Sequence, residues 1–304
     1  MYTELLTEFA GLPVVEFNEP ESWQGPDKAY RVREEYDDEV SIADRLDKLL
    51  KQPGSERLTA LIIGAWTSAS EGSGSEAAVA KLVEIAPRLP KLRSLFLGEM
   101  TYEESEVSWI NQSDVSPLLQ AYPQLETLVI RGGTGLSFSP ATHDRLKELR
   151  IETGGLPRSA IRELFLCRLP NLESLKLLLG EPNYGFDGSV EDLQPLLSGE
   201  LYPKLKTLGL MNSEIADEIA AVVVNSPIVE RIEMLDLSLG NMTVEGVSSL
   251  HELADKRNLR QLDISHYYAT EADVEALRKA LPFEVVAEDC EDPEDEWRPI
   301  LHAE

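Results

Sequence analysis

The sequence has few cysteines and few basic residues. Only two of its 304 residues are cysteine, Cys167 and Cys290, which excludes a disulfide scaffold and a four-thiolate zinc site. Basic residues number 28 against 55 acidic ones, which gives a formal net charge of −27. Because like charges repel at long range, this acidity opposes binding to nucleic acid or to an anionic membrane. We therefore expect neither partner.

Long apolar runs are also absent. No run approaches the roughly 20 residues that span a bilayer, and the first eight residues have neither the basic start nor the apolar core of a signal peptide. We therefore expect a cytoplasmic protein. Hydrophobic residues make up 42% of the chain and charged residues 27%, which is typical of a folded protein.

The usual motifs for metal binding and nucleophilic catalysis do not occur. The four histidines form no H-E-x-x-H or H-x-x-x-H pair, and the two cysteines form no C-x-x-C motif. The sequence contains neither a G-x-S-x-G elbow nor a glycine-rich loop that ends in Gly-Lys-Ser/Thr. These absences favour a protein without a metal or cofactor and favour a role other than catalysis.

A recurring L-x-x-L-x-L pattern dominates the rest of the chain. Positions four and six of each unit alternate as the buried face of a β-strand does, and helical periodicity follows several of the units. A strand and a helix repeated at about 27 residues are typical of leucine-rich repeats. The eight units begin at Leu58, Leu92, Leu125, Leu146, Leu172, Leu205, Ile232 and Leu259.

The units at 205–224 and 232–250 resemble the ribonuclease-inhibitor-like class of leucine-rich repeats. The resemblance implies an α/β solenoid shaped as a horseshoe arc, with parallel β-strands on the concave face and helices on the convex face. That class usually has Asn or Cys at position nine of each unit, and here that ladder is largely missing. We therefore expect longer, irregular loops after the strands. Position nine is occupied by Trp66, Met100, Gly133, Gly154, Gly180, Ser213, Gly240 and Tyr267.

Three further stretches are similar to a family of uncharacterised bacterial leucine-rich-repeat proteins. They are 98–104 running on to Trp109, the glycine-rich 131–136, and 152–157. The family has no established activity. The resemblance therefore implies the fold and a bacterial cytoplasmic setting, but no chemistry.

We divide the chain into three regions. Residues 1–57 contain two short strand-like segments and an amphipathic helix, and we expect them to cap the first repeat because exposed solenoid ends need covering. Residues 58–282 contain the eight units. Residues 283–304 are expected to add an edge strand and then an acidic tail.

Two groups of residues are candidates for binding a partner. Since strand side chains alternate, positions three, five and seven of each unit share the concave face. The loops that follow the strands add aromatic residues, which either serve as interface anchors or pack beneath the loops. The candidate set is Trp66, Phe96, Glu99, Tyr102, Trp109, Arg131, Arg150, Glu152, Lys176, Tyr184, His266 and Tyr267.

Three functional hypotheses remain open at this point. The first is a non-catalytic scaffold that binds a protein through the concave strands and the loops at their C-termini. The second is an enzyme or small-ligand binder whose site, in the glycine- and aromatic-rich rim loops, uses Glu99, Arg131, Glu152 and His266. The third is a structural subunit of a homo-oligomer.

Overall fold

A computed structural model of the protein describes residues 2–34, 40–66 and 73–303. Over these ranges the chain forms two compact units. The first contains the residues up to Glu152 together with Leu166–Leu169, and the second contains Thr153–Phe165 and Pro170–Ala303. Across the described residues, no helix is both long enough and apolar enough to span a membrane.

The first unit is a sheet whose strands follow chain order, with helices between them. Strands β1 and β2 are antiparallel, and β2 to β7 are parallel neighbours. The N-terminal region therefore contributes strands to the same sheet as the repeats. The strands are β1 Glu8–Phe9, β2 Leu12–Glu16, β3 Ala29–Val32, β4 Ala60–Ile63, β5 Ser94–Leu97, β6 Thr127–Arg131 and β7 Glu148–Glu152; the helices are α1 Ile42–Leu49, α2 Glu76–Ile85 and α3 Ser116–Ala121.

The second unit repeats this alternation. Its neighbouring strands are again parallel and follow chain order. The strands are β8 Ser174–Gly180, β9 Thr207–Ser213, β10 Met234–Asp236, β11 Gln261–Asp263 and β12 Glu284–Val286; the helices are α4 Arg158–Leu164, α5 Val190–Leu197, α6 Ala216–Val223, α7 Val244–Ser249 and α8 Glu271–Ala280.

The repeated leucines lie side by side on neighbouring strands and form the cores of the units. The register pairs position four of one strand with position four of the next in both units. Each of these side chains is buried, and full burial of a leucine contributes about 1.5–3 kcal/mol. The fold is thus α/β and consistent with a repeat solenoid. The paired residues are Leu61, Leu95, Leu128 and Leu149 in the first unit and Leu175, Leu208, Leu235 and Leu262 in the second.

Several helices begin with a side-chain cap. The Ser41 hydroxyl accepts a hydrogen bond from Asp44 N at the start of α1, and capping boxes start α5 at Ser189 and α8 at Thr270. Such caps satisfy N–H groups that have no partner within the helix. They explain why these helices begin where the sequence pattern places them.

We expect Leu128→Ala to lower the free energy of unfolding by about 2–5 kcal/mol, because it leaves a cavity in the leucine row. Leu166→Ala is the matched control, since Leu166 is 67% exposed, and it should change stability by no more than about 0.5 kcal/mol. Urea denaturation measures both variants. Equal effects of the two substitutions would contradict the assignment of this core.

Asp192 at the start of α5 predicts a pH-dependent contribution to stability. Burial raises its pKa, but hydrogen bonds from Arg162 and the Ser189 backbone outweigh this and hold the pKa below the ordinary 3.8. A carboxylate with a depressed folded-state pKa stabilises the fold above the unfolded-state pKa and loses this effect as pH falls through the folded-state value.

The stability difference between the wild type and Asp192→Asn should therefore be complete at pH 7 and shrink as the pH falls below 3.8. Denaturation at a series of pH values measures it, with the exposed Glu200→Gln as the control. A difference that stays constant down to pH 2 would show that the charge of Asp192 does not act through this pairing.

Candidate functional site

The candidate site is built on the side of the first sheet that faces away from the leucine row. Because neighbouring side chains alternate, the residues between the leucines share this side, which we call the strand face. Its middle row runs from β3 to β7, and the strand register aligns one residue from each strand. These residues are Arg31, Ile62, Phe96, Val129 and Arg150.

The apolar part of the strand face is covered by Phe9. The ring centroids of Phe9 and Phe96 are 6.1 Å apart, and Phe9 is buried in one cluster with Ala60, Ile62 and Val129. A two-residue turn of Ala10 and Gly11, both with positive φ, links β1 to β2 and holds Phe9 in place. The face is therefore partly closed by the chain's own hairpin.

The residues before this hairpin continue along the strand face. We call residues 2–7 the N-terminal segment. The Arg131 guanidinium carbon lies 3.6 Å from the centroid of the Tyr2 ring, a cation–π contact. The Leu6 N–H donates to Glu99 Oε1 at 2.6 Å, and Arg31 Nη2 donates to the Leu6 carbonyl at 2.6 Å. The segment thus contacts the face through both a side chain and its backbone.

Four charged residues lie beneath the N-terminal segment and are paired with one another. Arg31 Nε is 2.5 Å from Glu99 Oε2, and Arg131 Nε is 2.7 Å from Glu152 Oε2. Both pairs are almost completely buried, and buried charges are tolerated only when they are paired and hydrogen-bonded. Arg131 Nη1 also donates to the Met100 carbonyl at 2.6 Å. Arg150 Nε lies 2.8 Å from Glu152 Oε1, so Glu152 is paired with two arginines.

The electrostatic surroundings of Tyr2 keep its phenol protonated. Burial raises the pKa of the phenol, and the nearby Glu152 carboxylate raises it further, whereas Arg131 and Arg150 lower it. The result is a pKa well above the ordinary value of 10.0. Tyr2 is thus held as a neutral aromatic ring against the guanidinium of Arg131.

The structure separates the candidate residues of the first unit into an exposed group, a buried group and the half-buried Arg150. Trp109 and Tyr102, on the loop between β5 and α3, are 64% and 42% exposed. Trp66 is buried, and its Nε1 donates to the Ser73 carbonyl at 3.0 Å. Phe96, Glu99, Arg131 and Glu152 are buried as described above. Only the first group presents a large aromatic surface to solvent.

The candidate residues of the second unit make their contacts with other residues of that unit. Lys176 Nζ donates to Asp236 Oδ2 at 2.7 Å, and Tyr184 is half-buried in a short 3₁₀ turn. His266 and Tyr267 are buried. The Nε2 atom of His266 lies 3.1 Å from the Pro299 carbonyl oxygen, so residues near the C-terminus cover this histidine.

The four residues named for the small-ligand alternative do not all lie in one unit. Glu99, Arg131 and Glu152 belong to the first unit, and His266 belongs to the second. The three in the first unit are committed to the ion pairs beneath the N-terminal segment. The small-ligand site stays a prediction.

Two cavities are lined by residues outside the candidate set. An apolar groove of about 440 Å³ in the first unit includes Val83, Pro90 and Tyr122. An acidic recess of about 390 Å³ in the second unit includes Glu214 and Arg298. Burial, followed by repulsion from Glu181 and Glu218, raises the pKa of Glu214. Among the described residues, no cluster of three or more His, Cys, Asp or Glu is arranged to hold a metal ion.

Sequence reasoning missed Tyr2, Phe9 and Arg31, which complete the strand face. All three precede the first repeat, in the region expected to act as a cap. The available signal was the presence of two aromatic residues, Tyr2 and Phe9, in an otherwise polar and aliphatic start of the chain. Nothing in the local pattern indicates which surface these aromatics cover.

The loops after β5 and β6 are ordered by pairing with each other. Bridges join Asn111 to Thr134 and Asp114 to Ser137. Gly98 and Gly132 have positive φ, and a Cβ on Gly132 would lie 2.3 Å from the Ile110 carbonyl oxygen. Glycine is therefore required where these loops approach each other closely.

Comparisons with known proteins find similar chains among the solved structures. No protein-family model and no curated protein matches the chain. An internalin from Listeria monocytogenes, whose crystal structure is known, is 13% identical, with 81% of this chain and 70% of that chain covered and a TM-score of 0.37. This likeness is too distant to support an argument about fold or function.

The crystal structure of a protein from Bacteroides fragilis is far more similar. The two chains are 32% identical, the match covers 90% of this chain and 76% of that chain, and the TM-score is 0.82. The chain belongs to the same family as this Bacteroides fragilis protein.

Proposed function

We propose that the chain is a protein-interaction scaffold that binds its partner through the loop between β5 and α3 and the adjoining strand face. The observation that carries this proposal is the exposure of Trp109 and Tyr102 on that loop. Aromatic residues bury a large area at low entropic cost and dominate the energetics of many interfaces. Water-exposed aromatics on an ordered loop are therefore natural anchors for a partner.

The loop is held in place before any partner binds. Arg33 Nη1 donates to Glu104 Oε1 at 2.7 Å, and the Thr101 N–H donates to Glu104 Oε2 at 2.9 Å. Farther along the loop, the Gln112 N–H donates to the Thr134 carbonyl at 2.7 Å. A preorganised loop loses little conformational entropy on binding, which favours affinity.

The charge of the loop indicates the chemistry of the partner. Glu103 and Glu106 lie between the two exposed aromatics in the sequence, and the whole chain carries a net charge of −27. A partner with basic residues around an apolar pocket complements this surface. Complementary charges raise the association rate and disfavour the binding of other proteins.

The finer assignments of the fold are part of the same proposal. We propose that the repeats are leucine-rich repeats of the ribonuclease-inhibitor-like class, arranged as a horseshoe with concave strands and convex helices. Parallel strands in chain order with leucines in register support this. Residues 1–57 then act as the cap, 58–282 as the repeats, and 283–304 as the closing strand and tail.

The setting of the protein is also proposed. The Bacteroides fragilis relative supports a bacterial origin, and the acidic composition opposes binding to nucleic acid and to anionic membranes. A cytoplasmic location is part of the same proposal. Within the part of the chain that the structure describes, no arrangement of side chains favours a catalytic role.

The experiment is an affinity purification from the native host with the immobilised chain, followed by affinity measurement with the captured partner. We expect Trp109→Ala to weaken binding about 30-fold or more, as loss of a 2 kcal/mol interface anchor does. Trp297→Ala is the matched control, because Trp297 is 75% exposed but lies in the second unit.

The control variant should bind as the wild type does. If Trp109→Ala binds its partner as tightly as the wild type, or if both variants lose binding equally, the proposed surface is wrong. If the chain captures no specific partner, the scaffold function itself is contradicted.

A further inference from the structure

The N-terminal segment contacts the strand face in the way that a bound peptide contacts a receptor. One side chain, Tyr2, lies on the Arg131 guanidinium. Backbone groups supply the other contacts: the Tyr102 N–H donates to the Tyr2 carbonyl at 2.8 Å, and Leu6 exchanges hydrogen bonds with Glu99 and Arg31. Extended peptides are commonly recognised by such a combination of main-chain hydrogen bonds and a side-chain anchor.

Apart from Tyr2, whose ring is largely covered, the segment has few buried side chains. The side chains of Thr3, Glu4, Leu6 and Thr7 are exposed, and residues 2–7 form neither a helix nor a strand. Segments with few buried apolar side chains and no regular secondary structure open locally at low free-energy cost. By contrast, Phe9 is fixed by the tight turn and the apolar cluster beneath it.

The surface beneath the segment is suited to exposure to water. The Arg31–Glu99 and Arg131–Glu152 pairs are formed between residues of the strand face and its adjoining loop, so they persist when the segment leaves. Hydration of paired charges is favourable, whereas exposure of an equal apolar area is not. Removal of the segment therefore uncovers a polar binding surface rather than a core.

We infer that the strand face around Arg131 is a peptide-binding surface, which the N-terminal segment occupies as a tethered ligand. The inference rests on the proposed function and specifies its partner. That partner presents an extended peptide. An aromatic residue of the peptide takes the place of Tyr2, and the backbone of the residue four positions later takes the place of the Leu6 backbone and bonds to Glu99 and Arg31. It competes with Tyr2 and Leu6 for the same groups.

The tether determines how strongly the site is blocked. A short linker holds its ligand at an effective concentration in the millimolar range. A peptide added in solution must compete with this concentration, so the intact chain should bind it weakly. Loss of the Tyr2 anchor should release the segment and open the site.

The test uses a synthetic peptide with the sequence of residues 2–7, labelled at its C-terminus, and fluorescence anisotropy with the full chain. We expect Tyr2→Ala in the chain to tighten peptide binding at least tenfold over the wild type. Leu6→Ala in the chain is the matched control, because its side chain is exposed and its contacts are made by the backbone. This control should bind the peptide as weakly as the wild type.

A peptide with alanine in place of the tyrosine should bind no variant measurably. If the folded Tyr2→Ala chain binds the original peptide no more tightly than the wild type, the inference is overturned. It is also overturned if Tyr2→Ala unfolds the protein, since the segment is then a permanent part of the fold. Circular dichroism of each variant distinguishes these outcomes.

The outcomes of this test and of the test of the scaffold function can be distinguished, although the Tyr102 N–H links the N-terminal segment to the loop between β5 and α3. None of the contacts of the N-terminal segment described above involves Trp109, so partner binding through Trp109 and peptide binding near Arg131 are measured separately. Failure of the peptide experiment alone leaves the scaffold proposal intact. Failure of the Trp109 experiment alone leaves the peptide site intact but removes the loop from the interface.

Discussion

The in-register pairing of leucines on neighbouring parallel strands is the constraint on which the rest of the first unit depends. Leu95 pairs with Leu128, and Leu128 pairs with Leu149. A shift by one residue would turn every leucine toward the opposite side of the sheet. Because the leucines must be buried, the same register also aligns Phe96 and Val129 on the strand face. The candidate binding surface is therefore a geometric consequence of the core.

Within each unit, a terminal stretch of the chain covers residues that would otherwise face water. In the first unit, residues 2–7 and Phe9 cover the strand face. In the second unit, the Asn212 side chain accepts from the His302 N–H at 2.9 Å and donates to the His302 carbonyl at 2.8 Å. These contacts bury polar groups with their partners, as buried polar groups require. Residues 2–7 and His302 are thus held by contacts with the unit that each of them covers.

The strands and the leucine row could be predicted from the sequence because alternation and repeat spacing are local signals. The pairing of Arg131 with Glu152 could also be predicted from the sequence, since the repeat register places the two residues on adjacent strands. The burial of Phe96 was not, because it depends on Phe9, which lies far away in the chain and outside the repeats. A local pattern does not specify which distant segment covers a surface. For the same reason, the exposure of Trp109 could be determined only from the structure.

In the proposed arrangement, the leucine core stays folded while the N-terminal segment opens locally. Native-state hydrogen exchange tests this most directly, with the Leu6 amide compared with the amides of β6. We expect the Leu6 amide to exchange through local opening, at a free energy far below that of global unfolding. Exchange of Leu6 only together with the β6 amides, and with the same dependence on denaturant, would contradict the account.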